Sequence, residues 1–129
     1  MLFARARSWK YDAAKLNGNW ERYFRRIIQK KKVLHKAVVT VTTEELIAIY
    51  EKQEKRCALT GRELQCRVLP GVPSPENASL DRIVAGGPYS ATNIQLVCRD
   101  VNGFRGDTPL KNFIHVCALV TAHAAKKNA

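Results

Sequence analysis

The chain lacks the long apolar runs that membrane-spanning and secreted proteins carry. None of its segments approaches the ~20 consecutive apolar residues of a membrane-spanning helix. Arg5 and Arg7 stand near the amino terminus, but no apolar stretch follows them, so a secretory signal is not indicated. The sequence therefore favours a cytoplasmic protein without a membrane partner.

The chain has only four cysteines, and their spacing is not that of a metal knuckle. Disulfides are typical of secreted proteins, so the thiols are expected to be reduced. Zinc sites often pair cysteines three positions apart. Here the residues three positions after Cys57 and Cys98 are Thr60 and Val101, so neither cysteine has a partner at that spacing. The pattern argues against structural zinc and favours small buried apolar side chains. The four cysteines are Cys57, Cys66, Cys98 and Cys117.

Acidic residues are few and unevenly placed. The chain has 11 Asp and Glu against 22 Lys and Arg, a net charge of +11. Residues 1–36 hold eleven basic residues against Asp12 and Glu21, a net of +9, and residues 37–129 hold the remaining +2. This asymmetry predicts a basic helical arm at 1–36, a globular domain at 37–129, and a polyanionic partner.

The spacing of apolar and turn residues predicts an α+β fold. Trp20, Phe24 and Ile28 recur on one helical face, and Thr42 with Glu45 forms a capping box. The helix that this box starts is expected to run to about Lys55. The expected strands are residues 37–41, 78–83 and 94–97. The remaining helices are expected at 99–105 and after a cap at Asp107 or Thr108, with Pro109 in the first turn.

One pattern in the sequence is suited to metal binding. It consists of an acidic strand end, a glycine loop and two asparagines. Asp81 ends the first apolar strand, Asn93 precedes the second, and Asn102 lies one turn into the helix that follows. Hard cations such as Mg²⁺ prefer oxygen ligands and keep several waters beside one or two protein groups. A strand–loop–strand–helix unit can bring Asp81 and Asn102 onto one such ion.

The segments Cys57–Gly61, Ser79–Ile83 and Asn93–Val97, followed by Asn102 and Arg105, resemble the HNH endonucleases common in bacteriophage genomes. The likeness covers roughly residues 40–115, with a core at about 57–107. It implies a ββα-metal fold that hydrolyses phosphodiester bonds of duplex or branched DNA with one divalent cation, Mg²⁺ or Mn²⁺. It also implies that Asp81 and Asn102 bind the metal, that Asn93 braces the loop and first strand, and that Arg105 binds phosphate.

Arg82 departs from the family pattern, in which the general-base histidine follows the metal-binding aspartate. Arginine keeps its proton near neutral pH, so Arg82 cannot be that base. A catalytic role as a clamp on the scissile phosphate remains. The base is then another group, with His115 and His35 ahead of His123, or metal-bound water attacks without one.

Two alternatives stay open beside the endonuclease. A catalytically impaired HNH scaffold that only binds nucleic acid would also carry Arg82, and a small basic structural protein would share the net charge. Both monomer and homodimer are compatible with the sequence. The residues expected to contact nucleic acid are Arg22, Arg25, Arg26, Lys30, Lys31, Lys32, Arg99 and Arg105.

Overall fold

The computed structural model describes residues 18–68 and 74–128, and within them the protein is a mixed α+β structure. Residues 1–17, which form the first half of the predicted arm, lie outside the described residues. The helices are α1 (Trp20–Leu34), α2 (Thr43–Lys52), α3 (Arg99–Arg105) and α4 (Leu110–Lys127). The strands are β1 (Ala78–Arg82) and β2 (Ile94–Cys98), which pair antiparallel.

Helix α1 is part of the hydrophobic core and not only a basic appendage. Asn19 caps it by accepting a hydrogen bond from the Arg22 backbone N–H. Phe24 is fully buried, and the Tyr23 hydroxyl donates to the Ala78 carbonyl at 2.7 Å. The Trp20 ring stacks on Tyr50 of α2 at 4.1 Å between centroids. Helix α1 therefore shares one hydrophobic core with the other described elements.

Helix α2 begins as the sequence predicts. The Thr42 hydroxyl accepts from the Glu45 N–H, and the Glu45 carboxylate accepts from the Thr42 N–H. The helix ends at Lys52, earlier than the predicted Lys55, because Glu54 and Lys55 adopt left-handed φ angles of 56° and 64°.

The prediction of a strand at residues 37–41 is wrong. Among residues 18–68 and 74–128 its one ladder contact is an isolated bridge between Val39 and Tyr89. The backbone N–H groups of Thr40 and Val41 both donate to the Tyr89 carbonyl, and no strand of the described chain extends this pairing.

The cap predicted for the last helix also differs. Pro109 is itself the N-cap of α4, and no side chain caps the helix. Asp107 instead faces Arg82 at 3.5 Å, and the Thr108 carbonyl accepts from Arg105. None of the described helices is long and apolar enough to cross a membrane.

Candidate metal and phosphate site

The β1–β2 hairpin sets the position of Asp81. The register pairs Asp81 with Gln95, and the Gln95 amide donates to Asp81 Oδ2 at 2.8 Å. Asp81 is buried, with 3% of its surface exposed. A carboxylate this enclosed is stable only when it is hydrogen-bonded or paired with a cation.

Arg105 of α3 supplies that cation, whereas the resemblance implied a contact with phosphate for it. Its Nη1 lies 2.6 Å from Asp81 Oδ2, and the same nitrogen donates to the Arg82 carbonyl. Its other donors reach the carbonyls of Ile83 and Thr108, and only 1% of the residue is exposed. A guanidinium so enclosed has no free surface for phosphate, so Arg105 orients the Asp81 carboxylate instead.

Asn102 is tied to β1 through its amide nitrogen. Its Nδ2 donates to Ser79 Oγ at 2.6 Å and more weakly to the Leu80 carbonyl at 3.3 Å. Its amide oxygen accepts no hydrogen bond from the described residues. The nitrogen therefore anchors the side chain and leaves the oxygen free to act as a ligand.

The two candidate ligand oxygens have no hydrogen-bond partner in the described chain. Both hydrogen bonds to Asp81 use Oδ2, so Oδ1 accepts none from the described chain. Every fully buried side-chain N or O atom in the described chain has a hydrogen-bond partner. Asp81 Oδ1 and Asn102 Oδ1 are therefore not among the fully buried atoms, although the Asp81 side chain as a whole is only 4% exposed.

Asn93 braces the loop that joins the two strands. Its Oδ1 accepts from the Val84 N–H at 2.9 Å, and its Nδ2 donates to the Pro88 carbonyl at 2.9 Å. Gly87 lies so close that a Cβ there would stand 2.7 Å from Asn93 Nδ2. The predicted bracing position is matched by these contacts, which hold both ends of the loop.

Arg82 lies at the edge of the site and is held there from several sides. Its Cζ lies 4.7 Å from the centroid of the Tyr89 ring, and its Nη1 donates to the Gly87 carbonyl. Its Nη2 faces Asp107 at 3.5 Å. A quarter of the Arg82 side chain is exposed, so part of the guanidinium can still meet a ligand.

These residues line one open pocket of about 660 Å³, and its cations come from three elements. Asp81, Arg82 and Asn102 all lie on its wall, as do Lys31 of α1 and Arg99 of α3. Lys31 Nζ also lies 5.3 Å from the Tyr89 ring centroid. Lys31 and Arg99 form no ion pair with any described residue, so both charges are available to an anion.

The other basic residues of α1 do not line this pocket. Arg22, Arg25, Arg26, Lys30 and Lys32 are exposed on the helix surface, and Arg25 pairs with Glu21 at 2.7 Å. The structure brings only Lys31 of the predicted arm cluster to the Asp81–Asn102 pair.

Histidine is missing from the pocket wall. The three histidines, at 35, 115 and 123, all lie within the described chain, and all are exposed elsewhere. No group of three His, Cys, Asp or Glu side chains that could hold a metal occurs among residues 18–68 and 74–128. Asp81 and Asn102 are the pair of oxygen donors that the sequence predicted, and Asp100 and Asp107 also line the pocket.

Sequence reasoning missed Gln95, Tyr89 and Ser79. A polar residue inside the apolar strand β2 was a usable signal for Gln95. Tyr89 and Ser79 carried no local signal, since their roles depend on contacts with α1, β1 and α3.

Comparison of the chain with protein-family models, with curated proteins and with solved structures finds no match.

Proposed function

We propose that the protein is a metal-dependent DNA endonuclease of the HNH type, with its site in the Asp81–Asn102 pocket. One observation carries the proposal: Asp81 and Asn102, each with a side-chain oxygen that accepts no hydrogen bond from the described residues, line one pocket with Arg82. A carboxylate and an amide oxygen are suitable ligands for Mg²⁺ or Mn²⁺. The strand–loop–strand–helix order of β1, β2 and α3 supports an HNH-like core.

Two protein oxygen ligands fit a divalent cation whose other ligands are water molecules. Asp81 Oδ1 and Asn102 Oδ1 would hold the ion, while Gln95 and Arg105 fix the other carboxylate oxygen. When bound, the cation neutralises charge on the scissile phosphate and the leaving oxygen.

Arg82 is suited to bind the scissile phosphate. Its guanidinium keeps its charge, and contacts with Tyr89 and Gly87 hold it at the edge of the pocket before substrate arrives. A preorganised cation stabilises the charge that develops in the transition state without reorganisation during the reaction. Lys31 and Arg99 would bind the flanking phosphates.

Water is the nucleophile in this proposal, and no histidine of the described chain is placed to activate it. Proton removal then falls to solvent or to the scissile phosphate. We expect a modest chemical rate, because a positioned general base contributes about 10²–10⁴-fold where one is present.

The alternative is a nucleic-acid-binding module that does not cleave. The Arg105–Asp81 pair favours it, because Arg105 already offsets the carboxylate charge and weakens its attraction for a cation. Relaxation of supercoiled plasmid with Mg²⁺ or Mn²⁺, against EDTA, separates the two functions. Metal-dependent nicking by the wild-type chain supports the enzyme. An inactive wild type that Arg82→His switches on supports the impaired scaffold.

A further inference from the structure

Phe104 is a large aromatic residue that the fold leaves in solvent. It lies on α3 with 78% of its surface exposed. Among residues 18–68 and 74–128 it is not one of the apolar residues that form the core or pack against it. Its ring therefore contributes little to the stability of the fold. Single exposed apolar residues are common on protein surfaces, so the surroundings of Phe104 decide whether it has a role.

Those surroundings are the cationic wall of the Asp81–Asn102 pocket. Phe104 lines this pocket together with Lys31, Arg82 and Arg99. Lys31 and Arg99 form no ion pair within the described chain, and a quarter of the Arg82 side chain is exposed. The three cations suit phosphate groups, and in a nucleic acid every phosphate is joined through a sugar to a base with an apolar face. The pocket wall thus carries complementary groups for both parts of a nucleotide.

The backbone that carries Phe104 is held from both sides. Arg105, the next residue, is ion-paired with Asp81 at 2.6 Å and almost completely buried. Asn102, two residues earlier, donates to Ser79 Oγ at 2.6 Å. Both contacts fix α3 on β1, so a ligand at Phe104 would have to order only the ring and not the backbone. A preorganised aromatic side chain of this kind binds with a small loss of conformational entropy.

We propose that Phe104 stacks on the base of an unpaired nucleotide whose neighbouring phosphates contact Lys31, Arg82 and Arg99. The proposal rests on the proposed function and names its substrate class: DNA with a single-stranded branch or gap, in preference to fully paired duplex. Inside a duplex both faces of each base are covered by neighbouring base pairs. In an unpaired strand they are free to stack on an aromatic ring. Such stacking tolerates any base, so we expect no sequence preference at this position.

Two single-stranded oligonucleotides of equal length separate stacking from phosphate binding. One is oligothymidine, and the other has the same phosphates but an abasic sugar at every position. Fluorescence anisotropy of the full chain, with EDTA present to prevent metal-dependent cleavage, gives the Kd for each. The wild type should bind oligothymidine at least about fivefold more tightly than the abasic oligomer.

Substitutions of Phe104 assign that difference to the ring. Phe104→Leu keeps an apolar side chain without a ring, so it should weaken oligothymidine binding by at least about fivefold and abasic binding by less than about twofold. Phe104→Trp should bind both oligomers at least as tightly as the wild type. Val38→Ala is the control, because Val38 is also exposed, at 82%, but does not line the pocket. It should leave both affinities unchanged. Both positions are exposed, so all three variants should fold.

A duplex with a single-stranded branch, compared with a blunt duplex of equal length, tests the substrate class. The wild type should prefer the branched duplex, and Phe104→Leu should lose most of that preference. If the wild type binds oligothymidine and the abasic oligomer equally, or if Phe104→Leu weakens both to the same extent, stacking is refuted while DNA binding and the endonuclease proposal stand. If the wild type binds none of these DNAs, both proposals are refuted.

Discussion

Arg105 and Asp81 form an ion pair that is almost completely enclosed. Arg105 Nη1 lies 2.6 Å from Asp81 Oδ2, and the two side chains are 1% and 4% exposed. The pair joins α3 to β1, and through Asp81 it also fixes the face of the carboxylate that meets the pocket. The same contact thus contributes to the stability of the fold and to the geometry of the site.

Asp81→Ala should therefore lower the free energy of unfolding by about 3–5 kcal/mol, because it leaves the Arg105 charge buried and unpaired. Asp81→Asn should cost less, since an amide oxygen can still accept from Arg105. Asp107→Ala is the control, an aspartate that also faces an arginine but is 91% exposed, and it should change stability by less than about 0.5 kcal/mol. Urea unfolding measures all three. Equal losses for Asp81→Ala and Asp107→Ala would contradict the importance of the buried pair.

Gly87→Ala should destabilise the protein by about 1–3 kcal/mol, because the added Cβ would overlap Asn93 Nδ2 and crowd the Val84 carbonyl at 3.0 Å. Gly103→Ala offers the opposite case. Its Cβ meets nothing within 4 Å, and it lies inside α3, so alanine should stabilise by about 0.5–1 kcal/mol. Thermal unfolding of the two variants should give shifts of opposite sign. If Gly87→Ala is neutral, Asn93 does not brace the loop tightly.

The sequence predicted the hairpin because its two strands are neighbours in the chain, whereas the bracing role of Asn93 came from the resemblance to HNH endonucleases. Alternating apolar residues define β1 and β2, and Asn93 contacts residues only five to nine positions away. Arg105, the partner of Asp81, is 24 residues away on another element. From the sequence, its positive charge therefore fitted a phosphate-binding residue as well as a buried counter-ion. Lys31 could not be singled out for the same reason, since it reaches the pocket only because Phe24 and Tyr23 dock α1 on the core.

Tyr89→Phe should keep wild-type cleavage, whereas Tyr89→Leu should slow it by about tenfold or more, because the ring face positions Arg82. Phenylalanine retains that face at 4.7 Å from the guanidinium, and leucine does not. Plasmid relaxation rates measure the effect, and DNA affinity measured in parallel should fall less than the rate. If Tyr89→Phe and Tyr89→Leu slowed cleavage equally, the Tyr89 hydroxyl, and not the ring face, would be what positions Arg82.

Stability should fall in acid as Asp100 is protonated. Arg62 donates to both carboxylate oxygens, at 2.6 and 3.1 Å, and this holds the pKa of Asp100 below its ordinary value. The stabilisation is present above the unfolded-state pKa of about 3.9 and is lost as pH falls through the lower folded-state pKa. Asp100→Asn should cost about 1 kcal/mol at pH 7. The difference from wild type should shrink steadily below about pH 4, and urea unfolding across this range would show it. A difference that stays constant with pH would mean that the charge contributes nothing.

The nicking rate of Asn102→Ala relative to Ser79→Ala, with Mg²⁺ or Mn²⁺ present, tests the metal-dependent site most directly. Asn102→Ala removes the amide oxygen that would bind the cation. Ser79→Ala removes the 2.6 Å anchor of the same amide but leaves that oxygen in place. We expect Asn102→Ala to lower the nicking rate by about 10²-fold or more, the loss typical when a preorganised group is removed from an active site. Ser79→Ala should keep most of the wild-type rate. Cleavage by Asn102→Ala at the wild-type rate would contradict the assignment of the site.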